Sequence, residues 1–147
     1  MGEAGAVGDL DRFWAALADR YVLERPLGAG GMDVVYLARD VRHDRQVAVK
    51  ILRSDLAELA HGERFAREIR IVARFTHPHI LSVFDSGQED GHPFFVMPFV
   101  EGESLRARLE REGALPVRDA VRLGREIADA LHYAHEHGVV HRDIKPE

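Results

Sequence analysis

Gly28 Ala29 Gly30 Gly31 lies between two strand-like runs, Tyr21 to Leu27 and Val34 to Arg39, and this order constrains the fold more than any other feature of the chain. Glycines lack a Cβ, so a backbone rich in them can approach an anion closely and offer it amide N–H groups. A dinucleotide-binding turn uses glycines the same way but opens a helix after them. Here the run Val34 Val35 Tyr36 Leu37 Ala38 follows, β-branched and aromatic, which favours a strand. The expected unit is strand, glycine loop, strand. A third strand-like segment, Gln46 to Leu52, follows the short polar stretch Asp40 to Arg45 and extends the unit as antiparallel sheet.

The remaining pattern reads as one further hairpin and several helices. Leu10, Phe13, Trp14 and Leu17 recur at helical spacing behind Asp9, which can cap, so a short amphipathic helix is expected to lay its aromatic face on the strands. Glu63 to Phe75 has Phe65, Ile69 and Val72 on one face and Arg64, Arg67, Arg70 and Arg74 on the other. Ile80 to Asp85 and Pro93 to Phe99 read as a hairpin around Glu89 Asp90 Gly91. Two helices follow, Ser104 to Glu112 ending at Gly113 and Val117 to His137 ending at Gly138. The expected class is α+β, an antiparallel sheet with one long helix that gives way to helices.

Composition narrows the function classes. At 46% hydrophobic and 31% charged, the 147 residues suit a soluble globular domain with a core. A net charge of -5 argues against a nucleic-acid partner, because a phosphate backbone calls for excess Lys and Arg. The absence of cysteine excludes disulfides, zinc ribbons and thiol catalysis. No apolar run approaches the roughly 20 residues of a membrane span, and Met1 to Gly8 has neither the basic flank nor the apolar stretch of a signal peptide. A cytoplasmic setting is expected.

Val47 Ala48 Val49 Lys50 carries the next chemical signal. Strand alternation puts Ala48 and Lys50 on one face, where the small Ala48 leaves a slot and Lys50 reaches from it, unless the lysine simply snorkels from a sheet edge. On a helical wheel Glu68 falls at the border of the apolar stripe, between Val72 and Phe75. A carboxylate turned toward a core needs a partner, and Lys50 is the natural one; the alternative is a solvated Glu68 bonded to Arg64 or another helix neighbour. His132, His135 and His137 on a helix end, with His77 and His79 around Pro78, raise the question of a metal. No HExxH signature or suitably spaced acid accompanies them, so they read as helix-end and loop residues.

Taken in order, Gly28 to Val35, Val47 to Lys50, Glu68, His77 Pro78 His79 Ile80 Leu81, Phe94 to Glu103 and the closing His141 Arg142 Asp143 Ile144 Lys145 Pro146 Glu147 resemble the bacterial Ser/Thr protein kinases from about Tyr21 onward. The resemblance implies a kinase fold with a five-stranded N-lobe over 21–97, a hinge over 98–102 and the start of a helical C-lobe over 103–147, residues 1–20 being a lead-in. It implies ATP as cosubstrate, with Gly28 and Gly30 at its phosphates, Leu27 among the other ATP-binding residues, and Val35, Ala48 and Met97 around adenine. The carbonyl of Pro98 and the N–H of Val100 belong to the hinge, where a proline removes no donor that adenine needs. Glu103 contacts ribose or simply sits, solvated, in a helix first turn. Lys50, held by Glu68, grips phosphate; Asp143 accepts the proton of the attacking hydroxyl, Lys145 offsets charge on the moving phosphoryl group, and His141 packs beneath the loop. Arg142 looks like the arginine that grips a phosphorylated activation loop, and Lys145 marks the Ser/Thr version.

One position departs from the pattern: Asp33 stands where the third glycine belongs, placing a carboxylate near the triphosphate. The family's magnesium-binding Asn and Asp Phe Gly segment are not among the 147 residues. From this follow expectations that the Mg2+ ligands lie beyond the end of the chain, that the polypeptide alone transfers phosphate negligibly, and that Val117 to His137 lacks cover for its apolar face. Membrane anchoring is expected only in a longer version, if at all. Besides an active kinase, whose partners are ATP and proteins bearing Ser or Thr, an ATP-binding pseudokinase or regulatory module and a non-nucleotide interaction domain remain open.

Overall fold

The computed structural model describes residues 10–30, 33–52, 66–67 and 69–147. These divide into two compact units, one within Met1–Arg74 and Ser82–Phe99, the other comprising Phe75–Leu81 and Val100–Glu147.

The first unit is built on helix α1 (Asp11–Leu17) and strands β1 (Tyr21–Ala29), β2 (Asp33–Asp40), β3 (Arg45–Leu52), β4 (Asp85–Glu89) and β5 (His92–Pro98). The strands form one antiparallel sheet in the order β1-β2-β3-β5-β4. Register fixes the two faces, since directly paired residues point the same way. Val34 pairs with Ile51, Tyr36 with Val49 and Val49 with Val96, so these side chains share a face with Val47 and Phe94. Against that face lies α1, and Leu10, Phe13, Leu17 and Tyr21 complete the core with them. Phe13 is fully buried, with edge-on contacts to Trp14 and Phe94 at centroid separations of 5.3 Å. Burying a side chain of this size contributes about 1.5–3 kcal/mol. The expected aromatic face of the helix is therefore the lid of the sheet's core. Its N-cap is Leu10, which offers no side-chain acceptor, and Asp9 lies outside the described residues.

The β4–β5 hairpin corrects the expected strand limits: Ile80 to Asp85 is not the strand. Asp90 (φ 46°) and Gly91 (φ 79°) make a two-residue turn with both residues left-handed, and this turn sets Glu89 opposite His92. Counting back through the register ends β4 at Asp85, opposite Val96. Only Phe84 upstream adds a backbone bond, to the Val96 carbonyl at 2.7 Å, while Ile80 and Leu81 belong to the second unit. The apolar spacing of Ile80 to Phe84 resembles a strand, but Leu81 and Phe84 are exposed and the segment joins no ladder.

Residues 66–67 and 69–72 are helical, with Ile69 buried and Arg67, Arg70 and Arg74 exposed, as the amphipathic pattern predicted. Phe75, expected to end that helix, lies outside it and in the second unit, where its ring meets Tyr133 edge-on at 5.3 Å. The Tyr133 hydroxyl accepts from the Thr76 N–H at 3.1 Å and His77 Nε2 lies 3.0 Å from Asp129, so residues 75–77 are fastened to helix α3 (Val117–Glu136). Helix α2 (Leu105–Glu112) starts at Ser104, whose hydroxyl accepts from the Ala107 N–H at 3.2 Å, and stops at Gly113 with φ 76°. Arg108 clips α2 to the start of α3 through Asp119 at 2.8 Å. On α3, Val117, Val121 and Ile127 are exposed. Among the described residues no helix is long and apolar enough to cross a membrane.

Candidate active site

The sheet face opposite α1 carries four of the residues expected around a nucleotide. Val35 pairs with Lys50, Leu37 with Ala48, and Ala48 with Met97, so Val35, Ala48, Lys50 and Met97 project from one side of three adjacent strands. Ala48 is buried and the others are partly exposed. Gly28 lies opposite Val35 at the second of two register shifts in β1, with Leu27 between the paired positions Pro26 and Gly28. A Cβ added at Gly28 would meet nothing within 4 Å, which leaves open space above the backbone where an anion is expected. Pro98 ends β5 opposite Val47, where its missing N–H costs the ladder little.

Between β1 and β2, the Gly30 N–H bonds the Asp33 carbonyl at 2.9 Å and closes the loop; Gly31 and Met32 lie outside the described residues. Asp33 is the first residue of β2 and shares a face with Val35 two positions on, hence with Lys50. Its carboxylate meets the Lys50 ammonium at 2.8 Å, with the two side chains 30% and 33% exposed. Gly30 makes room for this pair, since a Cβ there would stand 3.0 Å from Asp33 Oδ1. Glu68, the expected partner of Lys50, lies outside the described residues.

The second unit holds the remaining expected residues. Lys145 Nζ lies 3.1 Å from Asp143 Oδ2, both side chains more than half exposed. The Asp143 N–H donates to His141 Nδ1 at 3.2 Å. His141 is itself exposed and does not pack beneath the loop; its ring shapes the loop by this local bond instead. Arg142 has φ 63°, a left-handed value that an arginine adopts only under local constraint. The loop is tied to α2 by the Arg106 N–H bonding the Pro146 carbonyl at 2.8 Å and by Arg106 Nε at 3.2 Å from Glu147. Val100 is exposed. Glu103 is engaged by Arg111, whose hydrogen bond holds its carboxyl below the usual range. Among the described residues no three His, Asp or Glu side chains converge as metal ligands.

Comparison with known proteins gives the class to which this arrangement belongs. The profile of the protein kinase domain matches residues 21–147. The chain belongs to the protein kinase family. It is 42% identical over 135 residues to the serine/threonine-protein kinase PknB of Mycobacterium tuberculosis, covering 88% of this chain and 22% of that protein. It is 45% identical over 141 residues to the serine/threonine-protein kinase PksC of Streptomyces coelicolor, covering 90% and 25%. Among solved structures, the kinase domain of Mycobacterium tuberculosis PknI superposes with a TM-score of 0.75 at 36% identity, covering 86% of this chain and 52% of that domain. The chain thus spans about a quarter or less of its curated relatives and about half of the solved domain.

Sequence reasoning missed the Asp33–Lys50 pair, although the signal was present. Once Val35 is placed opposite Lys50, Asp33 is the diagonal neighbour, within reach of a long side chain.

Proposed function

We propose that this chain is the ATP-handling and catalytic-loop part of a protein kinase that phosphorylates Ser and Thr hydroxyls on proteins. The observation that carries the reading is the single sheet face presenting Val35, Ala48, Lys50 and Met97 beneath an open glycine turn. Apolar Val35, Ala48 and Met97 suit a purine, and Lys50 supplies a cation two residues beyond Ala48 for the phosphates. Gly28 and Gly30 border the phosphate side and Leu27 adds an apolar contact to the nucleotide; Pro98 and Val100 supply the hinge carbonyl and N–H, and Glu103 is the ribose contact once Arg111 releases it.

In the reaction, Asp143 accepts the proton of the attacking hydroxyl while the new phosphate ester bond forms and ADP departs. Lys145, already 3.1 Å from Asp143, places its positive charge beside the transferred group. Glu68 orients Lys50 toward phosphate. Magnesium arriving with ATP would supply positive charge to offset the phosphates. The counterparts of the family's metal ligands are not among the 147 residues, so we assign the polypeptide taken alone nucleotide binding with little transfer.

The test uses the longest reading frame that encodes these residues, with labelled ATP and a general Ser/Thr protein substrate. Label is expected on Ser and Thr, and Asp143→Asn is expected to abolish it while leaving ATP binding intact. ATP binding by the wild type without any transfer, even by that longest form, would favour the pseudokinase reading instead.

A further inference from the structure

We propose that Asp33 sets the nucleotide affinity of this site by acting as a built-in anion that occupies Lys50 when no phosphate does; this rests on the nucleotide reading of the same sheet face. Three features carry it. The carboxylate contacts Lys50 at 2.8 Å, the distance at which a phosphate oxygen would take its place. It reaches that position because Asp33 begins β2 on the Lys50 face, held by the bond from the Gly30 N–H to its carbonyl. It fits because Gly30 has no Cβ, which would otherwise stand 3.0 Å from Oδ1.

A triphosphate entering this site must displace the carboxylate from Lys50 and then tolerate it nearby. Both effects oppose binding in proportion to the ligand's charge. Adenosine, which carries no phosphate, escapes both. Metal-free ATP suffers most, and Mg-ATP, with two of its charges offset, suffers less. Asp33 therefore selects against highly charged ligands and favours the magnesium-bound form, without itself being assigned as a metal ligand.

Lys50 and Lys145 are the only lysines of the chain, so the pair can be probed without any nucleotide. Wild type and Asp33→Asn are pulse-labelled with an amine-reactive ester, and the extent at each lysine is read by peptide mass spectrometry. Lys50 is expected to react about two- to fivefold faster in D33N, the range of a partly exposed ion pair, with Lys145 unchanged as the internal reference. Raising salt is expected to speed Lys50 labelling in wild type and not in D33N. Calorimetric titration is then expected to show ATP binding tightened about three- to tenfold by D33N, metal-free ATP gaining more than Mg-ATP and adenosine gaining nothing.

Equal Lys50 labelling in the two proteins overturns the proposal, as does faster labelling with unchanged ATP affinity. A similar gain for adenosine and ATP also overturns it, because the effect would not follow charge. Failure of both proteins to bind ATP, with labelling still different, leaves the ion pair standing but removes the nucleotide reading and its competition together.

Discussion

The Tyr21 hydroxyl donates to the Asp85 carboxylate at 2.9 Å, which joins the first residue of β1 to the first residue of β4, the two edge strands of the sheet. Arg20 also pairs with Asp85, and Arg45 stacks over Phe84 at 3.7 Å. Twist in a five-stranded sheet rotates its edges relative to one another, and at this end the rotation brings them within side-chain reach. Exposed edges invite pairing with other chains, and these contacts help close both at one end.

Tyr21→Phe is therefore expected to lower stability by about 1 kcal/mol, toward the low end for a bond to a charged acceptor because the contact is partly solvated. Its pH dependence gives a second signature. Burial, partly offset by Arg20, raises the Tyr21 hydroxyl above 10.0. A raised value in the fold means a contribution fully present below the unfolded value and lost as pH climbs from about 10 through the folded one. Urea unfolding at pH 8 and above pH 10 is expected to show the alkaline loss in wild type and its reduction in Y21F.

Asp40 makes the opposite prediction. It is buried at the end of β2, and its Oδ1 accepts the Arg42 and His43 N–H groups at 3.1 and 3.2 Å while Oδ2 meets His43 Nδ1 at 2.8 Å and Arg45 Nε at 3.3 Å. Burial alone would raise its carboxyl, but the hydrogen bonds from His43 and Arg45 outweigh it and the net shift is downward from 3.8. The stabilisation is thus complete above about pH 4 and fades as pH falls through the lower folded value. Asp40→Ala is expected to cost about 1–3 kcal/mol at neutral pH, since two turn N–H groups lose their acceptor. The deficit should shrink in acid. Denaturation midpoints at pH 7 and pH 3 check both halves of this expectation.

What was legible in the sequence follows from how local each signal is. Alternation in Val47 Ala48 Val49 Lys50 put Ala48 and Lys50 on one face, and the register places Val35 and Met97 beside them. Ser104, Gly113 and Gly138 marked helix limits because capping is a matter of a few residues. The start of β4 was not legible, because Ile80 to Phe84 has strand-like spacing and only the left-handed Asp90 Gly91 turn determines which residues pair. Asp40, Tyr21 and Asp85 were missed for a different reason: their partners come together through sheet curvature and the β2–β3 turn, which no linear pattern encodes. Asp33 lay between the two cases, recognised as out of place but not as the neighbour of Lys50.

The lead-in helix is expected to be part of the folding unit, although the kinase domain match begins at residue 21. Phe13 is fully buried among Trp14, His92 and Phe94, with ring centroids 5.3, 6.3 and 5.3 Å away. Phe13→Ala is expected to cost about 3–5 kcal/mol through lost burial and the cavity left behind. A chain beginning at Tyr21 would expose the same sheet face and aggregate. Chemical denaturation of F13A and light scattering of the shortened chain measure the two effects; a loss below about 1 kcal/mol for F13A would place the helix outside the core.

Gly28 and Gly91 separate glycines needed for binding from glycines needed for folding. Gly91 has φ 79° and open space around it, so Gly91→Ala meets no clash but must hold a left-handed backbone, which costs about 1–2 kcal/mol. Gly28 has the same open space without a left-handed φ. Gly28→Ala is therefore expected to leave stability unchanged or raise it by a few tenths of a kcal/mol, because the unfolded chain loses freedom. If the space above Gly28 receives phosphate, the added methyl group blocks close approach and removes a contact of about 1 kcal/mol, about fivefold in Kd. Parallel thermal melts and ATP titrations of G28A and G91A are expected to give opposite pairings: G28A stable and weak in binding, G91A destabilised with near-normal affinity. Normal ATP affinity in G28A would show that the loop backbone does not hold the phosphates.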